Sequence, residues 1–187
     1  MIRKVIVASF LLVLATAAVA FAAKQQSKVF GPGDFSLGIG HEEVVAKKIK
    51  IKPQGTIKDI DVRMAAVSSA NEDYTFVLRH PSGKMIHLSS GNGGTADNYG
   101  SGCSSPVVFD DEAETEIEQL EGVNQFIEGS WQPEQRNEVG DTGGLEELDG
   151  MKLKGTWSLI AIDTEPIGLG TLKCFKVDAT YKPAKKK

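Results

Sequence analysis

Histidine, cysteine and tryptophan are scarce in this chain of 187 residues, which has three His, two Cys and two Trp. His41, His80 and His87 are scattered, and none is spaced with a cysteine as zinc ligands require. They read as exposed strand-end or turn residues. There is no C-x-x-C pair, which excludes a dithiol redox motif. There is also no G-x-S-x-G elbow, and Ser68-Ser69, Ser89-Ser90 and Ser104-Ser105 sit in loop-like sequence beside no base. A serine protease triad needs Asp, His and Ser brought together by a scaffold of its own, and these residues offer none. Aromatic residues are only 7% of the chain, so a glycosidase carboxylate pair finds few platforms to hold a sugar. Basic residues almost vanish from one stretch. Between Asp97 and Asp149 there are 15 acids and a single base, Arg136. Such a field disfavours nucleic acid and favours cations or a basic surface.

One long apolar run is present, and it opens the chain. Arg3 and Lys4 precede an uncharged stretch from Val5 to Ala20, and Ala20-Phe21-Ala22 puts small residues where a signal peptidase reads. Residues 1–22 therefore read as a secretory signal peptide, cleaved after Ala22 or Ala23. The cleavage-like site and the polar flank Lys24 to Lys28 argue against a retained membrane anchor. The expected location is secreted or periplasmic, with no membrane span after cleavage. Loss of Arg3 and Lys4 takes the formal net charge from -4 to -6. What remains is about 165 residues, a length that suits one domain. In an exported chain an even cysteine count usually means a disulfide, so Cys103 and Cys174 are expected to be bonded. The pair closes a loop of about 70 residues.

The remaining pattern is one of strands and turns. Val44 to Ile51 ends in apolar/polar alternation, and Ile57 to Val67 puts Ile60, Val62 and Met64 on one face. Tyr74, Phe76 and Leu78 share a face, and Met85 to Leu88 follows the Pro81-Ser82-Gly83 turn as the second arm of a hairpin. Trp157 to Ile162 is apolar on both faces, which places it centrally and Trp157 in the core. Leu172, Phe175, Val177, Ala179 and Tyr181 form a last strand with a bulge near Cys174. Ala113, Ile117 and Leu120 fit helix and strand equally well. Many short strands between Gly-rich turns predict an all-β chain, an antiparallel β-sandwich or jelly roll. The expected layout is an N-terminal segment at 23–56 joining the sandwich, the sandwich at 57–181, and a basic tail at 182–187.

Two acidic segments carry the candidate chemistry. Gly91 to Asn98 reads G-N-G-G-T-A-D-N and Phe109 to Ala113 reads F-D-D-E-A. Asp97, Asp110, Asp111 and Glu112 are hard oxygen donors beside glycines that let the backbone turn tightly. Calcium takes six to eight such oxygens, and backbone carbonyls complete the shell. A solvated acidic turn without a metal is the other reading of the same residues.

Further motifs flank these segments in a fixed order. Upstream is D-Y-T-F-V-L-R-H-P-S-G-K-M-I-H-L (Asp73 to Leu88). Downstream are W-Q-P-E-Q (Trp131 to Gln135), G-T-W-S-L-I-A-I-D-T (Gly155 to Thr164) and G-L-G-T-L-K-C-F-K-V (Gly168 to Val177). In that order the chain resembles the P domain (P/Homo B), the β-sandwich that follows the subtilisin-like catalytic domain in proprotein convertases and many bacterial secreted proteases. The resemblance covers Ile57 to Tyr181. It implies a Ca2+ site near Asp97, Asp110, Asp111 and Glu112, and a protein partner such as a secreted protease. Two departures stand out. G-T-A-D-N replaces the family's tighter glycine-aspartate-asparagine, and Lys173-Cys174-Phe175 stands where the family carries a tryptophan. The sequence thus reads as a non-catalytic binding or stabilising module associated with serine endopeptidases. The alternative is a carbohydrate- or surface-binding adhesion module, for which Trp131 is the aromatic to watch.

Overall fold

The computed structural model describes residues 24–134 and 143–185. The expected signal peptide at 1–22 lies outside the described residues, as do Gln135, Arg136 and the last two lysines. Ten strands follow one another: β1 Gln26–Phe30, β2 Leu37–Ile39, β3 Val44–Ile51, β4 Gly55–Val67, β5 Tyr74–Arg79, β6 Met85–Ser90, β7 Val107–Phe109, β8 Ser130–Trp131, β9 Gly155–Asp163 and β10 Gly170–Pro183. The chain is the expected all-β sandwich. The first sheet runs β1-β10-β4-β7-β8, with β2 also on β10, and the second runs β3-β9-β5-β6. Among the described residues these strands pair antiparallel except β7 with β8. The segment at 23–56 supplies β1 and β2 to the first sheet and β3 to the second. Pro183 pairs with Gly55, so β10 continues two residues past Tyr181.

The core follows from two-residue periodicity. Phe76 and Leu78 on β5, Trp157 and Leu159 on β9, and Phe175 and Val177 on β10 are fully buried between the sheets. β9 lies between β3 and β5, as its two apolar faces require. The β5–β6 hairpin closes at His80 to Lys84, where Gly83 adopts a φ of 98° that a residue with a Cβ rarely takes. Ala113 to Leu120 is neither a long helix nor a strand. It is a turn followed by one 3-10 turn, Ile117–Leu120, that buries Ile117 and Leu120.

Two irregularities set the register between β4 and β10. Lys173 is an extra residue on β10 between Leu172↔Ala66 and Cys174↔Ala65, the bulge expected near Cys174. Lys58 is an extra residue on β4 between Thr180↔Asp59 and Tyr181↔Ile57. Strict alternation from Asp59 would turn Ile57 to the outer face. The inserted Lys58 brings Ile57 into the core and leaves Thr56 exposed.

Cys103 and Cys174 form a disulfide with Cα atoms 5.1 Å apart, tying the 99–106 loop to β10. The bridge spans a sequence separation of 71 residues, worth about 4 kcal/mol in the chain-entropy account. Reduction should lower the melting temperature, and non-reducing mass spectrometry should find no alkylatable thiol. Two free thiols in exported material would contradict this. Trp157→Ala should destabilise by about 3–5 kcal/mol, because the indole is wholly buried and its N–H donates to the Leu153 carbonyl at 2.9 Å. Denaturant unfolding of the variant measures the loss.

Candidate cation site on the outer face of the first sheet

Acidic residues collect on three neighbouring strands. On β4, Ile60, Val62 and Met64 face the core, so Asp59, Asp61 and Arg63 must face outward. Asp61 is paired with Asp178 of β10. Val62 is paired with Phe109 of β7, which sets Asp110 beside Asp61 on the other side. Asp178, Asp61 and Asp110 therefore form a row across the sheet, and Glu112 completes it from the turn after β7. One ligand oxygen each from Asp59, Asp61 and Glu112 lie within 4.8 Å of one another, a group of three hard donors.

The row is short of positive charge. Arg63 Nη2 donates to Asp178 Oδ2 at 2.6 Å. Exposed pairs of this kind contribute about 0–1 kcal/mol. Two like charges about 5 Å apart repel by about 3 kcal/mol at an effective dielectric of about 20, so repulsion wins. Burial, with Asp59, Asp110, Asp178 and Glu112 nearby, pushes the Asp61 carboxyl up to about 7. Burial and the charge of Asp110 raise Asp59. A hydrogen bond with Asp110, with burial, raises Glu112. Bringing a cation here would relieve all of these at once.

The four residues expected from sequence have four different placements. Glu112 joins the cluster. Asp110 borders it, and its Oδ1 accepts from Glu112 N–H at 2.8 Å, which shapes the turn. Asp111 instead caps a remote 3-10 turn, Leu145–Leu148. Leu145 N–H donates to its Oδ1 at 2.9 Å and Glu146 N–H donates to its Oδ2. Burial beside Glu146 pushes the Asp111 carboxyl up to about 7. Asp97 is exposed and belongs to none of the carboxylate groups of three among the described residues. Its loop is held by buried Asn71, whose Nδ2 donates to the Asn98 carbonyl at 3.1 Å, and by Ser68 N–H donating to Asn98 Oδ1 at 3.0 Å. Asp59 and Asp61 lie outside the set expected from sequence. The alternation I-K-D-I-D-V-R-M marks them as outward acids, but only the pairing with β7 and β10 brings them to Glu112.

His80 corrects another expectation, because it is 4% exposed rather than an open turn residue. Its Nε2–H donates to the Lys152 carbonyl at 3.0 Å, so Nδ1 is the acceptor, and Ser82 N–H and the Ser82 hydroxyl both donate to it. This serine–histidine contact is not an activated nucleophile. The Lys152 carbonyl, and among the described residues no carboxylate, orients the ring, and burial lowers the His80 pKa, which makes the imidazole a poor base. The contact locks the β5–β6 turn against Trp157, whose ring is 4.7 Å from His80 edge-on. Trp131 is half-buried, with its indole N–H donating to the Glu128 carbonyl at 2.7 Å.

No known protein family matches the chain by its sequence profile, and no curated protein is similar to it in sequence. The structure is similar to solved ones. One is a crystal structure of a serine protease of Aeromonas sobria, at 12% identity and a TM-score of 0.44, over 84% of this chain and 26% of that one. Another is a crystal structure of the Aeromonas sobria serine protease and chaperone complex, at 13% identity and a TM-score of 0.46, over 86% of this chain and 27% of the matched chain. This chain thus spans about a quarter of the length of each of these two chains.

The Asp61 carboxyl holds its proton more tightly in the folded chain than in the unfolded one. The folded chain keeps this proton up to about pH 7, whereas the unfolded chain releases it near the ordinary value of 3.8. Between those limits the folded state binds more protons, so this group's contribution to stability is lost as pH rises through 7. In chelator, Asp61→Asn should melt higher than the parent at pH 8, with the difference shrinking toward pH 5. Melting curves that shift in parallel at both pH values would show that Asp61 is not strained.

Proposed function

We propose that this chain is a non-catalytic β-sandwich module that binds or stabilises a protein partner outside the cytoplasm. The observation that carries the reading is the outward row of Asp178, Asp61 and Asp110 with Asp59 and Glu112, offset by the single ion pair of Arg63. A surface that accumulates like charge at a cost to its own stability fits a cation or a basic partner. The signal-like N-terminus and the disulfide agree with an exported chain. The partner of this reading is a secreted serine endopeptidase, which is what the P-domain resemblance implies. No protease chemistry is assigned to the chain itself, because a fold that accompanies an enzyme does not confer its site.

Calcium is the cation of this reading. The donor set fits a hard ion, since Asp59, Asp61 and Glu112 offer only carboxylate oxygens with no nitrogen or sulfur among them. These three residues would hold the ion, which would act by cancelling their repulsion and tying the β7 exit to β4. Binding to the folded state raises stability by mass action. Millimolar calcium should raise the melting temperature over that in chelator, and Asp61→Asn should abolish the difference. Identical curves for the parent chain in calcium and in chelator would remove calcium from the reading. Purified protein should also leave casein intact. Cleavage that disappears when one of its own serines is replaced would overturn the non-catalytic assignment.

A further inference from the structure

The acidic row lies close to a surface of the opposite sign. At the start of β4, Thr56 is paired with Lys182 of β10 on one side and bridged to Lys152 on the other. Residues directly opposite in antiparallel pairing share a face. The two lysines therefore flank exposed Thr56 on the outer surface, and Lys154 follows Lys152 by two residues on that same face. The Lys58 bulge is what turns Thr56 outward here. Between these walls lies a concavity of about 650 Å³, lined by Gln54, Thr56, Lys152, Lys154, Lys182 and Pro183 among others. A second, of about 480 Å³, shares Lys152 and Lys154 and extends to Pro81 and Met151. No carboxylate lines either one, and among the described residues no ion pair takes up Lys152, Lys154 or Lys182. The two hollows read as one groove, basic in its middle and apolar toward its ends.

We propose that this groove binds a short, extended acidic segment of a partner polypeptide. The proposal rests on the reading of the chain as a protein-binding module and names the chemistry of its partner. Three ammonium groups without counter-charge favour carboxylates, and Pro81, Met151 and Pro183 suit apolar side chains alternating with them. Each hollow by itself falls within the ordinary range of ligand clefts. The aromatic ring at the groove's edge, His80, is only 4% exposed and packs edge-on against Trp157, so it offers a sugar ring or a nucleobase no open stacking platform. Length is limited too. Asp59 lies three residues along β4 from Thr56, about 10 Å at strand spacing, and a long polyanion leaving the groove on that side meets the acidic cluster.

The test uses a fluorescein-labelled ten-residue peptide of alternating Glu and Val, its Gln-for-Glu counterpart and a heparin hexasaccharide, with binding read by anisotropy. The Glu peptide should bind, the Gln peptide should not, and affinity should fall at least tenfold between 50 and 300 mM salt by ordinary screening. Lys152→Glu with Lys182→Glu should weaken binding at least tenfold. The milder Lys152→Gln with Lys182→Gln should fall between, and both should melt like the parent because the ammonium groups are exposed. Lys48→Glu on β3, outside the groove, should bind as the parent does. Equal loss from Lys48→Glu would reduce the effect to net charge and overturn the proposal. Binding of the hexasaccharide but not the peptide would overturn it in favour of a glycan. Salt-sensitive self-association in sedimentation, abolished by the same lysine changes, would overturn it in favour of the acidic face of a second copy. None of these outcomes touches the calcium or proteolysis tests, so failure here leaves the binding-module reading standing.

Discussion

Pairing between β4 and β10 is the constraint on which the rest of this molecule depends. The two strands run antiparallel from Thr171↔Val67 to Pro183↔Gly55, and both candidate surfaces lie on their outer side. Because side chains alternate, whatever fixes the inner face also fixes the outer one. Ile60, Val62 and Met64 must be buried, so Asp59, Asp61 and Arg63 cannot be. The bulge at Lys58 then resets the alternation. It lets Ile57 join the core and puts Thr56 between two lysines. A single inserted residue therefore separates an acidic surface from a basic one along one strand.

The outer face breaks a rule that the inner face obeys. Large side chains fill the space between the sheets, each contributing about 1.5–3 kcal/mol when fully buried. That reserve is large enough to hold a few like charges in register at about 3 kcal/mol per close contact. Nothing in the packing requires Asp61 to be acidic. Asn would fill the same space with less repulsion. Local choices that oppose stability without a structural reason gather where a protein meets something else. The Asp178–Asp61–Asp110 row is such a place, and the clustered lysines beside Thr56 are another.

The loops show how a polar network shapes the G-N-G-G-T-A-D-N segment. Asn71 is fully buried and bonds to the Asn98 carbonyl, while Ser68 and Asn98 exchange two further hydrogen bonds. Asn98 holds a φ of 71°, a conformation that asparagine tolerates better than most residues. Tyr99, which follows directly, is fully buried, 4.9 Å from the Phe76 ring, with its hydroxyl donating to the Asn92 carbonyl at 3.0 Å. The G-N-G-G-T-A-D-N segment is shaped by these contacts, which leaves Asp97 at the surface.

Periodicity alone marked β3 to β6, β9 and β10, the central place of Trp157 and the inward faces of β5, β9 and β10, because side-chain alternation is written residue by residue, whereas the short β1, β2, β7 and β8 became strands only through pairing. The even cysteine count likewise marked the Cys103–Cys174 bond. The F-D-D-E-A motif located Glu112 and Asp110 at a turn. Only the tertiary structure decided which acids meet. Asp59 and Asp61 are about fifty residues from Glu112 in the chain, and their approach depends on β7 pairing with β4. The same motif hides the different task of Asp111, whose partners at Leu145 and Glu146 lie far along the sequence. The lysines at 152 and 182 flank Thr56 only after three separate segments are in register. Local alternation fixes which way a side chain points, whereas long-range strand pairing fixes what it points beside.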